Sequence, residues 1–597
     1  MIMTKGIFCL TLSLVFSLSA RAVGNEPFMT NVDGRDAVSL NGKWSAIVDV
    51  YDKGGRMQFY KNLKPQGNDD FYEYSFDDGA LQLQVPGDWN SQSPELKYYE
   101  GTVWYARHFE ASRTEGIRQF LYFSGVSYRC NVYLNGEYAA SHEGSFLPFQ
   151  VEVTDRLRDG DNFLVVEVNN RRAEDGIPAM DFDWWNYGGI TRDVWIVRTP
   201  EVFITDYFIA LDRENDRKVN ISVSLSSPLK QQVVIDIPEL KISSKIRTDD
   251  RGNASFSIYP GELQLWSPSS PKLYDVTVRS GEDSIRDRIG FRTLDVKGTT
   301  ILLNGEPFFA KSVSFHEEIP LRAARACSRE DAAYLIDEVV KLGGNMARLA
   351  HYPQNEYIIR MAEEKGIVLW EEIPLWQKIK FSDKGTLDKA LKMYSDMVYR
   401  DRNRCSVCFW GLANETRPSA QRNEFLTRIL EKARSIDNTR LFTIADDVSF
   451  FNSATGRIEL EDPMTDLVDV VAINKYLGWY ARWDRAPSEM EWNVAPLKPL
   501  IISEFGGEAL YGRRGDENVA SSWSEDYQAK LYRDNLAAFS KIPNLAGISP
   551  WVLFDFRSPR RFLPGLQDGW NRKGLISDKG EYKMSWYIIR DYYNSRP

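Results

Sequence analysis

From about Lys297 to the C-terminus, short apolar runs alternate with amphipathic helical stretches, and no other feature restricts the fold of this chain so strongly. Such alternation describes a parallel sheet wrapped by helices, because each buried strand needs a crossover helix to return the chain to the same edge. Candidate strands cover residues 308–313, 345–351, 367–373, 406–414, 441–446, 469–476, 500–505 and 546–554. Helical signals fall between them at 329–342, 356–365, 387–402, 421–435 and 525–540. Eight strands in this order predict a closed (β/α)8 TIM barrel, whose active-site residues come from the C-terminal ends of its strands.

Upstream the pattern is different. Residues 25 to about 200 alternate apolar and polar positions in short runs broken by turn signals such as Pro86-Gly87-Asp88 and Leu134-Asn135-Gly136, the pattern of an antiparallel β-sandwich. A second stretch, 201–296, repeats the habit in runs such as 219–224 and 274–279 and has the size of an immunoglobulin-like sandwich. A length of 597 residues is too great for one core, so the expectation is a multidomain β plus α/β protein, with domains at 23–200, 201–296 and 297–597. Ahead of them, Lys5, an apolar stretch from Ile7 to Leu18 and Ala20-Arg21-Ala22 match a cleavable secretory signal over 1–22. This predicts export to the periplasm or the medium, and no later segment is long and apolar enough to predict a membrane span.

A formal net charge of −10, without Lys/Arg-rich runs, argues against a nucleic-acid partner. Aromatic residues are abundant, with 17 Trp, 29 Tyr and 31 Phe, which suits stacking on sugar faces. Four cysteines follow the expected signal, Cys130, Cys327, Cys405 and Cys408; the Cys405-Ser-Val-Cys408 pair has neither a second such pair nor a nearby His, so it is read as buried free thiols on a core strand and no metal site is expected.

Two carboxylates stand where buried strands surface: Glu415 after the run 408–414 and Glu504 after 500–503. They close the fourth and seventh strands, on opposite sides of the pore, and can converge across it. A pair of this kind hydrolyses an acetal, one carboxyl protonating the leaving oxygen while the other, as an anion, faces the anomeric carbon. A separation of about 5–5.5 Å leads to a covalent intermediate and retention, whereas about 6.5–9.5 Å admits water and leads to inversion. Such chemistry uses protein groups alone, and no cofactor is expected.

The strings Trp410-Gly-Leu-Ala-Asn-Glu415 and Ile502-Ser-Glu504-Phe-Gly506 resemble the acid/base and nucleophile motifs of family-two glycoside hydrolases, which include β-glucuronidases, β-galactosidases and β-mannosidases. Val85-Pro-Gly-Asp-Trp89, Trp184-Trp-Asn-Tyr-Gly-Gly-Ile-Thr-Arg192 and Arg348-Leu-Ala-His-Tyr-Pro353 resemble further signatures of that family, so the likeness spans nearly the whole chain. The resemblance implies a jelly-roll sugar-binding-like domain, an immunoglobulin-like sandwich and a catalytic barrel, acting as a retaining exo-glycosidase with Glu415 as acid/base and Glu504 as nucleophile. It further implies that Asn414 holds the sugar 2-hydroxyl, that Arg348 and His351 belong to the active site, that Tyr476 positions the nucleophile and that Trp551 contacts the sugar. Asp183 comes from the first sandwich, and is either a ring-hydroxyl ligand or a turn residue in an aromatic interface.

The sugar is read from Asn571-Arg-Lys573, which resembles the Asn-x-Lys grip of β-glucuronidases on the substrate carboxylate, and from Asn474-Lys-Tyr-Leu-Gly-Trp-Tyr480, which brings Tyr480 near the same group. The implied substrate is a terminal β-D-glucuronide of an oligo- or polysaccharide, with β-galacturonide, β-galactoside and a non-catalytic sugar-binding role as alternatives. Gln567 departs from the glucuronidase pattern, which has an Arg there. The basic segment Arg557-Ser-Pro-Arg-Arg561 either supplies the missing charge, meets an acidic polymer, or is a solvated loop. Self-association is left open.

Overall fold

The computed structural model describes residues 28–64, 74–77 and 79–596; the expected signal at 1–22 lies outside the described residues. The first sandwich pairs a six-stranded sheet, built on Gly42–Asp49, Thr102–Ala111 and Gly160–Asn169, with a four-stranded sheet built on Ile117–Phe123 and Val194–Pro200. Alternation along each strand sends Trp44, Leu83, Tyr105, Leu121 and Val166 into the space between the sheets, while the intervening residues face outward. The second sandwich packs a three-stranded sheet (Ile204–Leu211, Val219–Leu225, Asn253–Ile258) on a four-stranded one around Tyr207, Ile221, Ile235 and Val278.

Eight parallel strands then close into a barrel: β1 Ala310–Phe315, β2 Met346–Leu349, β3 Val368–Glu372, β4 Val407–Asn414, β5 Leu441–Asp446, β6 Val470–Asn474, β7 Leu500–Glu504 and β8 Leu545–Ile548. Each overlaps the run read from sequence; β2 and β6 end two residues earlier than read, and β1 and β8 differ for identifiable reasons. Phe308 belongs to an antiparallel meander, Leu294–Lys297, Thr300–Leu303 and Glu306–Phe308, so β1 starts two residues later than its apolar run. β8 stops at Ile548, just before Ser549-Pro550, because proline has no N–H to give the ladder. The meander and Trp266 close the N-terminal end of the barrel against Met346, Trp370, Phe409 and Ile501. Around the outside, strand and helix faces meet in a continuous apolar layer, where truncating Ile502 to Ala costs about 2–5 kcal/mol. Between β5 and β7 no α-helix forms among the described residues; 3₁₀ turns and a small sheet of Phe450–Asn452, Arg457–Glu459 and Trp492–Asn493 take their place.

Two buried contacts dock the first sandwich onto the open, C-terminal end of the barrel. Arg192 pairs with Glu317 at 2.6 Å and donates to the Pro353 carbonyl at 2.8 Å, while Asp88 accepts from the Arg325 backbone N–H at 3.0 Å. Removing one partner of such a pair strands a charge in the interior at a cost of about 3–5 kcal/mol. This docking carries residues 181–185 of the sandwich to the barrel mouth. The second sandwich grips the barrel from the side, where Arg404 pairs with Asp287 and Asn403 donates to the Tyr207 carbonyl. Cys130, Cys405 and Cys408 are buried, Cys327 is half-buried, and all four are free.

Candidate active site

Glu415 directly follows β4 and Glu504 ends β7, and both line a cavity of about 550 Å³ at the C-terminal mouth of the barrel. Glu415 takes a left-handed backbone conformation, φ 52°, held by its N–H donating to the Ala445 carbonyl of β5 at 2.9 Å. A residue with a Cβ is seldom found there, and such backbone strain gathers at functional sites.

The two carboxylates have different neighbours. Glu504 accepts from the Arg348 guanidinium at 2.8 Å and from the Tyr476 hydroxyl at 2.6 Å, so a full positive charge and a strong neutral donor favour its anion. Burial raises its pKa, and Arg348 and Tyr476 offset only part of that rise. Glu415 accepts only from the neutral amides of Asn474, at 2.9 Å, and Gln377, at 3.0 Å. Burial, then the charge of Glu504, pushes it up to about 7. Glu415, with neutral neighbours, is suited to proton donation, and Glu504, paired with Arg348, is suited to act as the anion, which is the division that acetal hydrolysis requires.

Arg348 is fully buried and serves as the strut of the site. Besides Glu504 it donates to Glu372 at 2.8 Å and to the Asn414 side-chain oxygen at 2.7 Å. Asn414 also accepts from Asn474 at 3.1 Å, so its amide group is oriented and its Nδ2 is left buried without a partner, free to donate to a ligand. His351 bonds to Glu372 through Nδ1 at 2.7 Å and stacks on Trp551 with centroids 4.9 Å apart; burial lowers its pKa and favours the neutral ring.

At the far side of the cavity a second cluster forms. Lys573 donates to the Tyr480 hydroxyl at 2.8 Å, and Arg561 donates to that same oxygen at 3.1 Å. Behind them the buried Glu508 lies 3.3 Å from each cation and accepts from Gln567 at 3.0 Å. Arg561 also pairs with Asp183 at 2.8 Å, and Ser558 donates to the other Asp183 oxygen at 2.6 Å. The Asn571 Nδ2 is buried with no partner. Two cations and an unused amide donor thus converge, and this set can receive a carboxylate.

All eleven residues singled out in the sequence gather here: Asp183, His351, Tyr476, Tyr480, Trp551, Asn571 and Lys573 line the cavity with the two glutamates, and Arg348 and Asn414 lie directly behind. Of the basic segment, Arg557 packs 4.2 Å from the Trp185 ring, whereas Arg561 enters the cavity. Sequence reading assigned no role to Glu372, His316, Gln377 and Glu508, nor to Asn474 beyond its place in the string that ends at Tyr480. Glu372 and Asn474 are the last residues of β3 and β6, so the strand-end rule that found Glu415 and Glu504 also points to them. A larger cleft of about 780 Å³ separates the first sandwich from the helix Lys384–Asp401; of its acids, Glu143 and Asp396 pair with Lys389 and Lys392, and Glu167 accepts from Asn131. Among the described residues no His, Cys, Asp and Glu group has the arrangement of a metal site.

Three family models cover most of the chain: "Glycosyl hydrolases family 2, sugar binding domain" over 39–200, "Glycosyl hydrolases family 2" over 202–292 and "Glycosyl hydrolases family 2, TIM barrel domain" over 294–556. The chain is 25% identical over 596 residues to a β-glucuronidase of Paenibacillus borealis, a match covering 91% of this chain and 96% of that one. A solved β-glucuronidase from an uncultured Clostridium species shares its fold with a TM-score of 0.80 at 24% identity, over 96% of this chain and 100% of that one. A β-galacturonidase from Eisenbergiella tayi, solved with galacturonate, matches with a TM-score of 0.79 at 25% identity, over 95% and 98% of the two chains.

Proposed function

The chain belongs to glycosyl hydrolase family 2, and from that premise we propose that it removes terminal β-D-glucuronic acid residues by a retaining mechanism. The observation that carries the choice of sugar is the meeting of Lys573 and Arg561 on the Tyr480 oxygen beside the free amide of Asn571. A neutral sugar leaves the buried Asn571 donor unpaired and the two cations held only by Asp183 and Glu508, whereas a hexuronate carboxylate adds charge-assisted bonds from Lys573 and Arg561, worth about 1.5–3 kcal/mol each, and pairs with Asn571.

In the first step the Glu504 carboxylate attacks the anomeric carbon, the carbon–oxygen bond to the leaving group breaks, and the Glu415 proton passes to the departing oxygen. Water then attacks the glycosyl–enzyme ester, Glu415 takes its proton, and the Glu504 carboxylate is released. Arg348 holds Glu504 and Asn414 together, so an Asn414 bond to the sugar 2-hydroxyl is oriented before the transition state forms.

Parallel assays on chromogenic β-glucuronide, β-galacturonide and β-galactoside test the reading, with the glucuronide expected to have the highest kcat/KM; a preference for the galactoside sinks the uronide assignment. Galacturonide remains the second reading, because the receptor addresses the carboxylate common to both acids and the E. tayi relative holds galacturonate. NMR of the first-formed anomer tests retention, since an α-product excludes it. The leader-like N-terminus supports export as a further proposal, checked by cell fractionation and N-terminal sequencing of the mature chain.

A further inference from the structure

In the reaction proposed above, Glu415 gives its proton to the leaving group, so the wall beside Glu415 and away from the carboxylate receptor faces the departing part of the substrate. β5 runs directly beneath this acid, since the Glu415 N–H is bound to the Ala445 carbonyl. Just past the end of β5 come Asp447 and Ser449, and both line the same cavity as Glu415. The Asp447 charge is among the influences that raise the Glu415 pKa, which agrees with their closeness.

Neither side chain is fully used by the protein. Ser449 is 8% exposed, and its hydroxyl and the Asp447 Oδ1 have no hydrogen-bond partner; the second Asp447 oxygen lies 3.2 Å from Arg417. Lys475, just beyond β6 and also 8% exposed, donates to the Ser449 carbonyl at 2.9 Å, which pins the loop from the neighbouring strand. An ammonium carries three donors, and this bond uses one. An unpartnered polar group covered by an apolar leaving group costs about 1–3 kcal/mol, so this wall disfavours a phenol-like or steroid-like departing group. Sugar hydroxyls donate to a carboxylate and accept from a hydroxyl and an ammonium, and the opposite charges of Asp447 and Lys475 give no reason to require an acid.

We propose that Asp447 and Ser449, braced by Lys475, form a leaving-group subsite for a hydroxylated, uncharged sugar, so that the substrate is an oligosaccharide capped by a hexuronic acid. The proposal rests on the uronidase reading above, and the test separates the two. Wild-type, Ser449→Ala and Asp447→Asn proteins are assayed on 4-nitrophenyl β-glucuronide and on a β-glucuronosyl disaccharide with a neutral reducing-end sugar, at a pH below the titration of Glu415. The expected result is a loss of about 10-fold or more in kcat/KM on the disaccharide for each variant, appearing mainly in KM, against about 3-fold or less on the aryl substrate. Equal losses on both substrates, no loss on the disaccharide, or a wild-type protein that cleaves only the aryl glucuronide overturns the subsite. Wild-type protein inactive on both uronides overturns the uronidase reading itself. The aryl activity and the thermal midpoint of each variant report whether it has folded.

Discussion

The two ends of the cavity are built from different materials. At the catalytic end the side chains come from strand termini, and the strut and the nucleophile are almost completely buried, Arg348 being 0% exposed and Glu504 3%, with Glu415 half-buried. At the receptor end they come from segments outside the barrel strands and from a second domain, and burial is uneven: Tyr480 is 59% exposed and Arg561 half-buried, whereas Lys573 and Asn571 are buried, and Asp183 arrives on the first sandwich. Chemistry needs carboxylates fixed to within a fraction of an ångström, which a closed hydrogen-bonded barrel supplies. Recognition needs only convergent charge and donors, which loops can supply and exchange without disturbing the barrel. The catalytic end is therefore expected to respond alike to every substrate, and the receptor end selectively.

Glu504→Ala is the severest test of that contrast, with kcat expected to fall by about 10⁴-fold or more on glucuronide and galactoside alike. A loss confined to one sugar breaks the division. Glu415→Gln is expected to cost about 10²–10⁴-fold on substrates with poor leaving groups, and much less on activated aryl glycosides. It also removes the alkaline limb of the pH–rate profile, because the group pushed up to about 7 must be protonated to act and loses its proton as pH rises through that value. An unchanged limb assigns the acid elsewhere.

Lys573→Met sharpens the other side. A loss of about 10²-fold on the glucuronide is expected, with little change on the galactoside, as removal of a charge-assisted bond dictates. Arg561→Gln follows at about 10-fold with the same selectivity, smaller because Asp183 and Glu508 already share the guanidinium. An equal effect on both sugars makes Arg561 a brace between domains instead of a ligand for the acid.

The smallest effect concerns stability. The folded protein holds Glu415 protonated to about pH 7, while the unfolded chain ionises near the ordinary 4.5, so stability associated with this group is present below pH 4.5 and is lost as pH rises to 7. Glu415→Gln removes that loss. Thermal midpoints of variant and wild type should separate progressively between those pH values, with the variant higher, and a constant difference contradicts the raised pKa.

Much of this site is legible in the order of residues along the chain. Strand-end position together with the family resemblance marks Glu415 and Glu504, because a buried parallel strand reads as an apolar run and its closing polar residues emerge at the mouth. The same rule, applied at β3 and β6, reaches Glu372 and Asn474. Arg561 and Glu508 are harder: neither ends a strand, and a basic loop reads the same whether it enters a pocket or meets solvent. Arg557 and Arg561 are four residues apart, yet one lies against Trp185 and the other bonds Tyr480. No local pattern separates them.

By itself the sequence determined the barrel, its two sandwiches and the strand ends that carry the carboxylates, since periodicity records which residues are buried and in what order. Tertiary structure alone decided the environments. Glu415 and Glu504 are the same residue type at equivalent positions, and only the neighbours brought by chain folding, neutral amides for one and Arg348 with Tyr476 for the other, separate the proton donor from the anion. The physical reason is that pKa depends on burial and on charges within a few ångströms, and those charges come from residues far away along the chain.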